Sequence, residues 1–411
     1  MGKYIVIGAG MSGLATANLL KEGGDEVVIY ERNSRPGGMI KCDIVDGCLF
    51  HRTGGHVFNT KRKDVQDWFW KHFDKDKEFV KTLRNAAVVF DEHHIVPYPV
   101  ENHVYCFDEK TQHSFIRDML KIAKEHNEPQ NFEEFLQGRF GETLYSLYFQ
   151  PYNFKVWRRD LTQVPLSWLE GKLPMPTVED MIYNNMNHIE ERQFVHSSFY
   201  YPIKGGSQFL ADRLSHNLNI KYNTPVHSIE RRRNKLFVNG EDCDRVVFCG
   251  NIKMLPSMLE ISPFVRDIEE LEAHGTTSVF CEIDKNPFSW VYMPNRIHES
   301  HRVICTGNFS VNNNVEDKMT ATIEFTDSIS KEEIIDNLNR VSFNPKYITH
   351  HYEKFTYPIQ KGNTREMIDT LKSMLSKDGI YLVGRFAEWE YYNMDAAIGS
   401  AMDLIKNLSK I

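Results

Sequence analysis

"KYIVIGAGMSGLATANLLKEGGDEVVIYE", Lys3 to Glu31, decides the fold. Tyr4 to Ile7 is a short apolar run, the signature of a buried parallel strand. Gly8-Ala9-Gly10-Met11-Ser12-Gly13 follows and matches G-x-G-x-x-G. A helical pattern then runs through Leu14, Ala17, Leu19 and Leu20 and stops at Gly23-Gly24. Glu26 to Tyr30 reads as a second strand, ending on the acid Glu31. Each residue has a physical task. Gly8 permits the tight turn, Gly10 lets a pyrophosphate approach the backbone, and Gly13 lets helix and strand pack closely. The helix start at Met11 and Ser12 offers unpaired N–H groups and a positive dipole end to phosphates. Glu31 is placed to accept hydrogen bonds from a ribose diol. A lone glycine motif is weak. Strand, glycines, helix, strand and acid in this order make a dinucleotide site.

The next residues, "RNSRPGGMI" (32–40), put Gly37-Gly38 six and seven places after the acid. This resembles the extended motif of the large FAD-dependent family that includes amine oxidases, protoporphyrinogen oxidase and UDP-galactopyranose mutase. A glycine pair there lets backbone pass close to the pyrophosphate and ribityl chain. Arg32 and Met39 complete the expected cofactor set on this stretch. "HRTGGHVFNT" (51–60) follows at the distance where such chains meet the flavin ring. Gly54-Gly55 allow close backbone approach, and His56 is expected to face the isoalloxazine. His51 reads equally well as a polar residue in a turn.

Composition sets outer limits. The chain has 411 residues, too many for one ordinary core. A formal net charge of −7 argues against general nucleic-acid binding. Seven scattered cysteines lack any C-x-x-C spacing, so reduced thiols in the cytoplasm are expected, with neither disulfides nor a metal site. No signal peptide is read, and no run approaches the ~18 apolar residues of a membrane span.

Further along, "KRKDVQDWFWKHF" (61–73), "SFIRDMLKIAKEH" (114–126) and the longer "NFEEFLQGRFGETLYSLYFQPYNFKVW" (131–157) read as helices, with "NAAVVFDEHHIVPYPV" (85–100) as a hairpin between the first two. "IKYNTPVHSIERRRNKLFVNGEDCDRVVFCG" (220–250) alternates as short strands with Asn239-Gly240 as a turn signal. Residues 265–365 hold alternating runs such as "HRVICTGNF" and "TATIEFTD", expected to form an antiparallel sheet with one wet face. A last strand, a polar aromatic loop and a closing helix follow. The predicted fold is α/β: a discontinuous Rossmann-like FAD-binding domain (1–60, 199–260, 371–411), a mainly helical insert on the substrate side (61–198) and an antiparallel β-sheet domain (261–370).

The resemblance then narrows. "GRFAEWEYYNMDAAIGSAM" (384–402), "YNFKVWRRDLTQVP" (152–165), "FTYPIQ" (355–360) and "HRTGGHVFNT" are similar to motifs of the UDP-galactopyranose mutase family. That resemblance implies a pyranose–furanose mutase of a nucleotide-sugar, with UDP-galactopyranose or a related UDP- or dTDP-sugar as substrate. It implies reduced FAD whose N5 attacks the anomeric carbon, with an NAD(P)H or flavin reductant and a homodimer as candidate partners. It places His56 and Arg385 beside the flavin as catalytic residues, Val226 against the adenine through its backbone, and Asn393 and Met394 at a helix start facing the flavin pyrimidine. It places Tyr152 and Trp157 along the nucleotide base, Tyr357 and Tyr391 on the diphosphate, and Arg159 and Tyr392 in the substrate set. The family's two diphosphate-clamping arginines are expected near "KLPMP" and "MTATIEF", where Pro176 and Ala321 stand. Other cations such as Arg158 or Lys204 then replace them, or the substrate differs. The alternative is an FAD-dependent oxidoreductase of the amine oxidase or protoporphyrinogen oxidase type.

Overall fold

A computed structural model describes residues 1–125, 128–166, 176–189, 198–233, 235–315 and 317–409. The opening strand, Lys3–Ile7, lies at the centre of a five-stranded parallel sheet. The order across that sheet is Ile380–Leu382, Arg245–Phe248, Lys3–Ile7, Glu26–Tyr30 and Asn219–Lys221. Four separate stretches of chain therefore build one nucleotide sheet. Ile5 and Val6 are fully enclosed because helices and hairpins cover both faces, which is why the strand reads as a continuous apolar run. Helix Met11–Glu22 packs against the closing helix Met394–Leu408, and both begin on the same side as the carboxyl end of the first strand. Helix Lys63–His72 adds Val65, Trp68 and Phe69 to the same core, with Phe58 stacked on Phe69.

The signalled Asn239-Gly240 turn is present. Both residues have positive φ, +48° and +86°, and they join strands Lys235–Val238 and Glu241–Cys243.

The larger sheet has seven strands in the order Lys346–Pro358, Ala273–Glu282, Thr320–Thr326, Arg302–Ile304, Trp290–Tyr292, Ala86–Asp91 and His94–Pro97. It is antiparallel except where Trp290 to Tyr292 run parallel to Ala86 to Val88. The hairpin read at 85–100 is thus the far end of this sheet. One expectation needs correcting: the face carrying the polar half of the alternation is not wet. All seven residues of Thr320–Thr326 are buried. Ala321, Ile323 and Phe325 face an apolar core, while Thr322 and Glu324 face a covered polar interior. That interior is where the site forms.

The long helical stretch is also interrupted. Gly141 takes φ +81°, and the chain runs as helix Phe132–Leu144, a wide turn at Tyr145–Phe149, and helix Gln150–Trp157. Tyr152 and Trp157 share the last helix. Five positions at about 100° each turn them to different faces.

Candidate functional site

Two glycine turns meet at the mouth of the parallel sheet. Gly37 N–H donates to the Ala9 carbonyl at 2.8 Å, and Gly10 and Gly37 form a bridge. A Cβ on Gly38 would stand 3.2 Å from Gly10 Cα, so the two backbones touch with no side chain between them. A Cβ on Gly13 would meet the Gly8 carbonyl at 1.9 Å, so only glycine fits where helix crosses strand. Helix Met11–Glu22 starts at Gly10 with no side-chain cap, which leaves its first amides available to phosphate. Glu31 is buried. Its carboxylate accepts from Ala9 N at 2.8 Å and from Asn33 N at 2.8 Å, which fixes it at the strand end with further lone pairs for a diol. The side chain of Val226 is buried in the same apolar cluster as Ile5 and Val28. Arg32 is exposed at the rim.

The second side of this mouth comes from the C-terminus. Gly384 has φ +101°, and a Cβ there would overlap Ser12 Oγ at 2.2 Å. Glu388 holds the turn: it accepts from Gly384 N at 2.7 Å and pairs with Lys372 at 2.6 Å. Arg385 then projects across the site. It donates to the carbonyls of Tyr392, at 3.2 Å, and of Thr356, and it lies 4.1 Å from the Tyr391 ring centroid. Its Nε is buried and has no hydrogen bond among the described residues. The closing helix begins at Met394 with Asn393 as an uncapped N-cap, so its free amides also face this mouth. Backbone cradle, strand-end acid, two helix starts and a half-buried guanidinium fit the shape and charge of a flavin dinucleotide.

His56 sits between these parts. Its Nε2 faces the Met39 carbonyl at 3.1 Å and must donate to it, which leaves Nδ1 bare. Burial, helped by the Arg385 guanidinium, holds its pKa down to about 4, so the ring is neutral. The preceding glycines also meet constraints within the chain. Gly54 supplies φ +62°, and its N–H donates to Glu324 Oε1 at 3.1 Å. Gly55 is required because a Cβ would stand 2.5 Å from Ile304. His51 is fully enclosed, bonded to the Tyr201 hydroxyl at 2.7 Å, and burial lowers its pKa to about 3. It is a core histidine.

Next to His56 lies a buried charge pair that sequence reading missed. Arg302 and Glu324 are opposite on neighbouring strands, Nε to Oε2 at 2.6 Å. Burial opposes ionisation of Glu324, but the Arg302 guanidinium and His301 hold its carboxyl at about 2. Arg302 also donates to the Tyr357 hydroxyl at 3.2 Å. The Tyr357 and Tyr391 rings stack with centroids 5.5 Å apart and planes 9° apart. Tyr152 meets Tyr292 edge-on at 5.6 Å and lies 6.4 Å from the His301 ring. Burial raises the Tyr152 hydroxyl, and the Arg302 charge acts on it in the opposite sense.

The structure thus brings Tyr152, Tyr357 and Tyr391 together, with Arg385 and His56. It does not bring the remaining substrate candidates there. Trp157 is 2% exposed in the core of the helical unit with Phe140 and Leu161. Arg159 pairs with Glu272 at 2.9 Å, and Arg158 with Glu299 at 2.9 Å. Tyr392 turns the other way and packs against the core that holds Met11 and Phe69. Ala321 lies in the opposite core, three residues before Glu324, and it is Glu324 that has Arg302 as its partner on the neighbouring strand. Pro176 borders residues 172–175 of "KLPMP", which lie outside the described residues; Lys204 is exposed. A signal for Arg302 was present in the sequence. "SHRVICT" and "TATIEFT" both place a charge on the polar parity of a strand otherwise destined for burial. Among the described residues there is no cluster able to hold a metal ion, and no helix is long and apolar enough to cross a membrane.

Residues 11–402 match the family described as flavin containing amine oxidoreductase, and the chain belongs to that family. It is a flavoprotein, and FAD is its cofactor. Curated relatives to which it is similar include mutases, the branch that the motif resemblance implied. It is 24% identical to the UDP-galactopyranose mutase of Mycoplasma pneumoniae, over 97% of this chain and 94% of that one. It is 27% identical to the dTDP-fucopyranose mutase of Escherichia coli, over 61% of this chain and 64% of that one. In structure it superposes on a reduced UDP-galactopyranose mutase with TM-score 0.88 at 20% identity, covering 100% of this chain and 94% of the other. A protoporphyrinogen oxidase from Exiguobacterium follows with TM-score 0.77 at 16% identity, covering 99% and 98%.

Proposed function

We propose that the protein is a flavin-dependent pyranose–furanose mutase acting on a nucleotide-sugar, UDP-galactopyranose or a related UDP- or dTDP-sugar. The observation that carries this reading is Arg302. It is a half-buried guanidinium, its side chain 20% exposed, fixed by Glu324 and within electrostatic reach of the tyrosines Tyr152, Tyr292 and Tyr357. Glu324 and Tyr357 engage Nε and Nη2, which leaves Nη1 as the end of the fork to meet a diphosphate. A diphosphate leaving group needs charge stabilisation that is in place before bond cleavage, and a guanidinium already locked by a carboxylate costs little reorganisation. The names of the relatives support the substrate class.

Reduced FAD supplies a nucleophilic N5 for the anomeric carbon. The chain does the rest. Gly10, Gly37, Gly38 and the helix start at Met11 hold the pyrophosphate, and Glu31 the ribose. Neutral His56 would stand beside the ring without adding positive charge. Arg385 and the amides at Asn393 and Met394 offset negative charge on the reduced ring. Tyr357 and Tyr391 donate hydroxyls to the diphosphate beside Arg302, and Tyr152 offers an aromatic face to the base. An NAD(P)H or flavin reductant is the partner such a cycle requires.

A thermal-shift panel of UDP, dTDP, ADP and the matching nucleotide-sugars tests the substrate class. Uridine or thymidine diphosphates should raise the melting temperature of the holoprotein and lose that effect in Arg302→Met. No shift with any nucleotide would remove the reading in favour of an oxidoreductase.

A further inference from the structure

We propose that His274 is a positioning residue for the nucleotide cleft. It acts through the helix that carries Tyr152, and the inference rests on the nucleotide-sugar reading above. Helix Gln150–Trp157 ends at Arg158 in the left-handed conformation, φ +49°. Its last carbonyls need donors from elsewhere. Those donors come from the sheet: His274 Nε2 lies 2.8 Å from the Trp157 carbonyl, and Thr326 Oγ1 lies 3.4 Å from the Val156 carbonyl.

The ring that makes the shorter contact is itself locked. His274 Nδ1 is 2.9 Å from Asp327 Oδ2. The other oxygen of Asp327 accepts from Gly275 N at 2.7 Å, and its carbonyl accepts from Thr277 Oγ1 at 2.7 Å. His274 is also the register partner of Tyr357 on the neighbouring strand. Beside that pair the register shifts, and Thr356 turns its hydroxyl to the His274 carbonyl at 3.0 Å and its own carbonyl to Arg385. A bulge of this kind re-aims neighbouring side chains.

One residue therefore links two walls of the cleft, His274 reaching the helix through its ring and the neighbouring strand through its backbone. On one side is the helix presenting Tyr152. On the other is the strand presenting Tyr357 and holding Arg385. Arg302 donates to the Tyr357 hydroxyl at 3.2 Å, and its charge also acts on Tyr152. The spacing of the tyrosines decides whether base and diphosphate are engaged together, so a helix free to shift by a fraction of an ångström weakens binding without unfolding anything. The fold does not depend on this link alone. Lys155 on the same helix separately donates to the carbonyls of Met293 and Ser300, each at 2.9 Å.

The test uses two substitutions that each keep one half of the ring's bonding. His274→Gln carries its amide nitrogen to the place of Nε2 and retains the bond to Trp157. His274→Asn reaches only the Asp327 side. Dissociation constants of UDP and dTDP for the FAD-loaded proteins are measured by quenching of protein fluorescence, with flavin content and melting temperature alongside. The Gln variant should bind within about twofold of the parent. The Asn variant should bind about tenfold more weakly, the scale of one lost hydrogen bond, with full flavin in both. Asp327→Ala, which unlocks the ring from a half-exposed position, should weaken binding in the same direction. Parent-like binding by the Asn variant overturns the inference, as does equal weakening by Gln and Asn. If the Asn variant does not fold, parent-like binding by Asp327→Ala overturns it. A parent that binds neither nucleotide instead rejects the nucleotide-sugar reading itself, a result visible before any variant is made.

Discussion

The carboxylate of Glu324 ties two parts of the site at once. One oxygen receives Arg302 Nε at 2.6 Å, and the other receives the amide of Gly54, two residues before His56, at 3.1 Å. The Gly54 loop, proposed to lie beside the flavin, and the Arg302 guanidinium, proposed for the diphosphate, are thereby held by one side chain that is 1% exposed. The flavin and anion parts of the site cannot move independently.

Glu324→Gln should keep the fold's outline but loosen both attachments. Removing one partner of a buried pair leaves an uncompensated charge and costs about 3–5 kcal/mol. The expected result is a lower melting temperature and a fall in kcat/KM of at least about a hundredfold. Combining Glu324→Gln with Arg302→Met should recover part of the lost stability, because no charge is then stranded. Urea unfolding of the two single variants and the double variant checks this; strictly additive losses would contradict it.

Gly10→Val should empty the flavin site. Across the cradle, Gly10 faces Gly38 Cα at 3.9 Å from where its Cβ would be. A branched side chain there fills the place of the pyrophosphate. The variant should purify colourless and fail to bind added FAD, as read from absorbance near the flavin bands. Full flavin content would place the cofactor elsewhere.

Tyr152 and Trp157 should separate cleanly. Tyr152→Ala should weaken UDP or dTDP binding about tenfold or more, with little change in melting temperature. Trp157→Ala should cost about 3–5 kcal/mol of stability, because it opens a cavity in the helical core. Nucleotide titrations and melting curves of both variants decide the matter. A stable Trp157→Ala that no longer binds nucleotide would restore Trp157 to the base.

Acid should weaken the protein through buried His51 and half-buried His56. His51 and His56 have folded pKa values of about 3 and 4, below the unfolded value near 6.5. The unfolded chain therefore binds more protons between those limits. Their contribution is fully present above pH 6.5 and is lost as pH falls toward 4 and 3. Each contributes a slope of up to about 1.4 kcal/mol per pH unit in that window. His51→Asn should flatten the pH dependence of unfolding free energy between pH 6 and 4 by about one proton. Because His56 stays neutral there, the flavin spectrum of the parent should show no histidine titration between pH 5 and 8. An inflection near pH 6.5 that His56→Asn abolishes would contradict its burial.

The cofactor half of the site was legible in the sequence because its signals are local. Gly8, Gly10, Gly13 and Glu31 act through backbone conformation and fixed spacing along 29 residues of strand, turn and helix. The substrate half was read less well because it is assembled across the sheet. Arg302 and Glu324 lie 22 positions apart and meet only through strand register. The family resemblance paired Trp157 with Tyr152, whereas the turn of the helix sends Trp157 to the core. The wet face expected of the large sheet followed from alternation alone, which cannot show that a helical unit and the loop at Gly54 cover the polar side.

The most direct test of the account is anaerobic incubation of the dithionite-reduced holoprotein with UDP-galactopyranose and with dTDP-sugars, following ring form by chromatography and flavin oxidation by absorbance in the same vessel. The account predicts interconversion of pyranose and furanose forms over many turnovers with the flavin reduced throughout, and none with oxidised protein. Flavin oxidation stoichiometric with sugar consumed, or no interconversion of any uridine or thymidine nucleotide-sugar by protein that binds it, would contradict it.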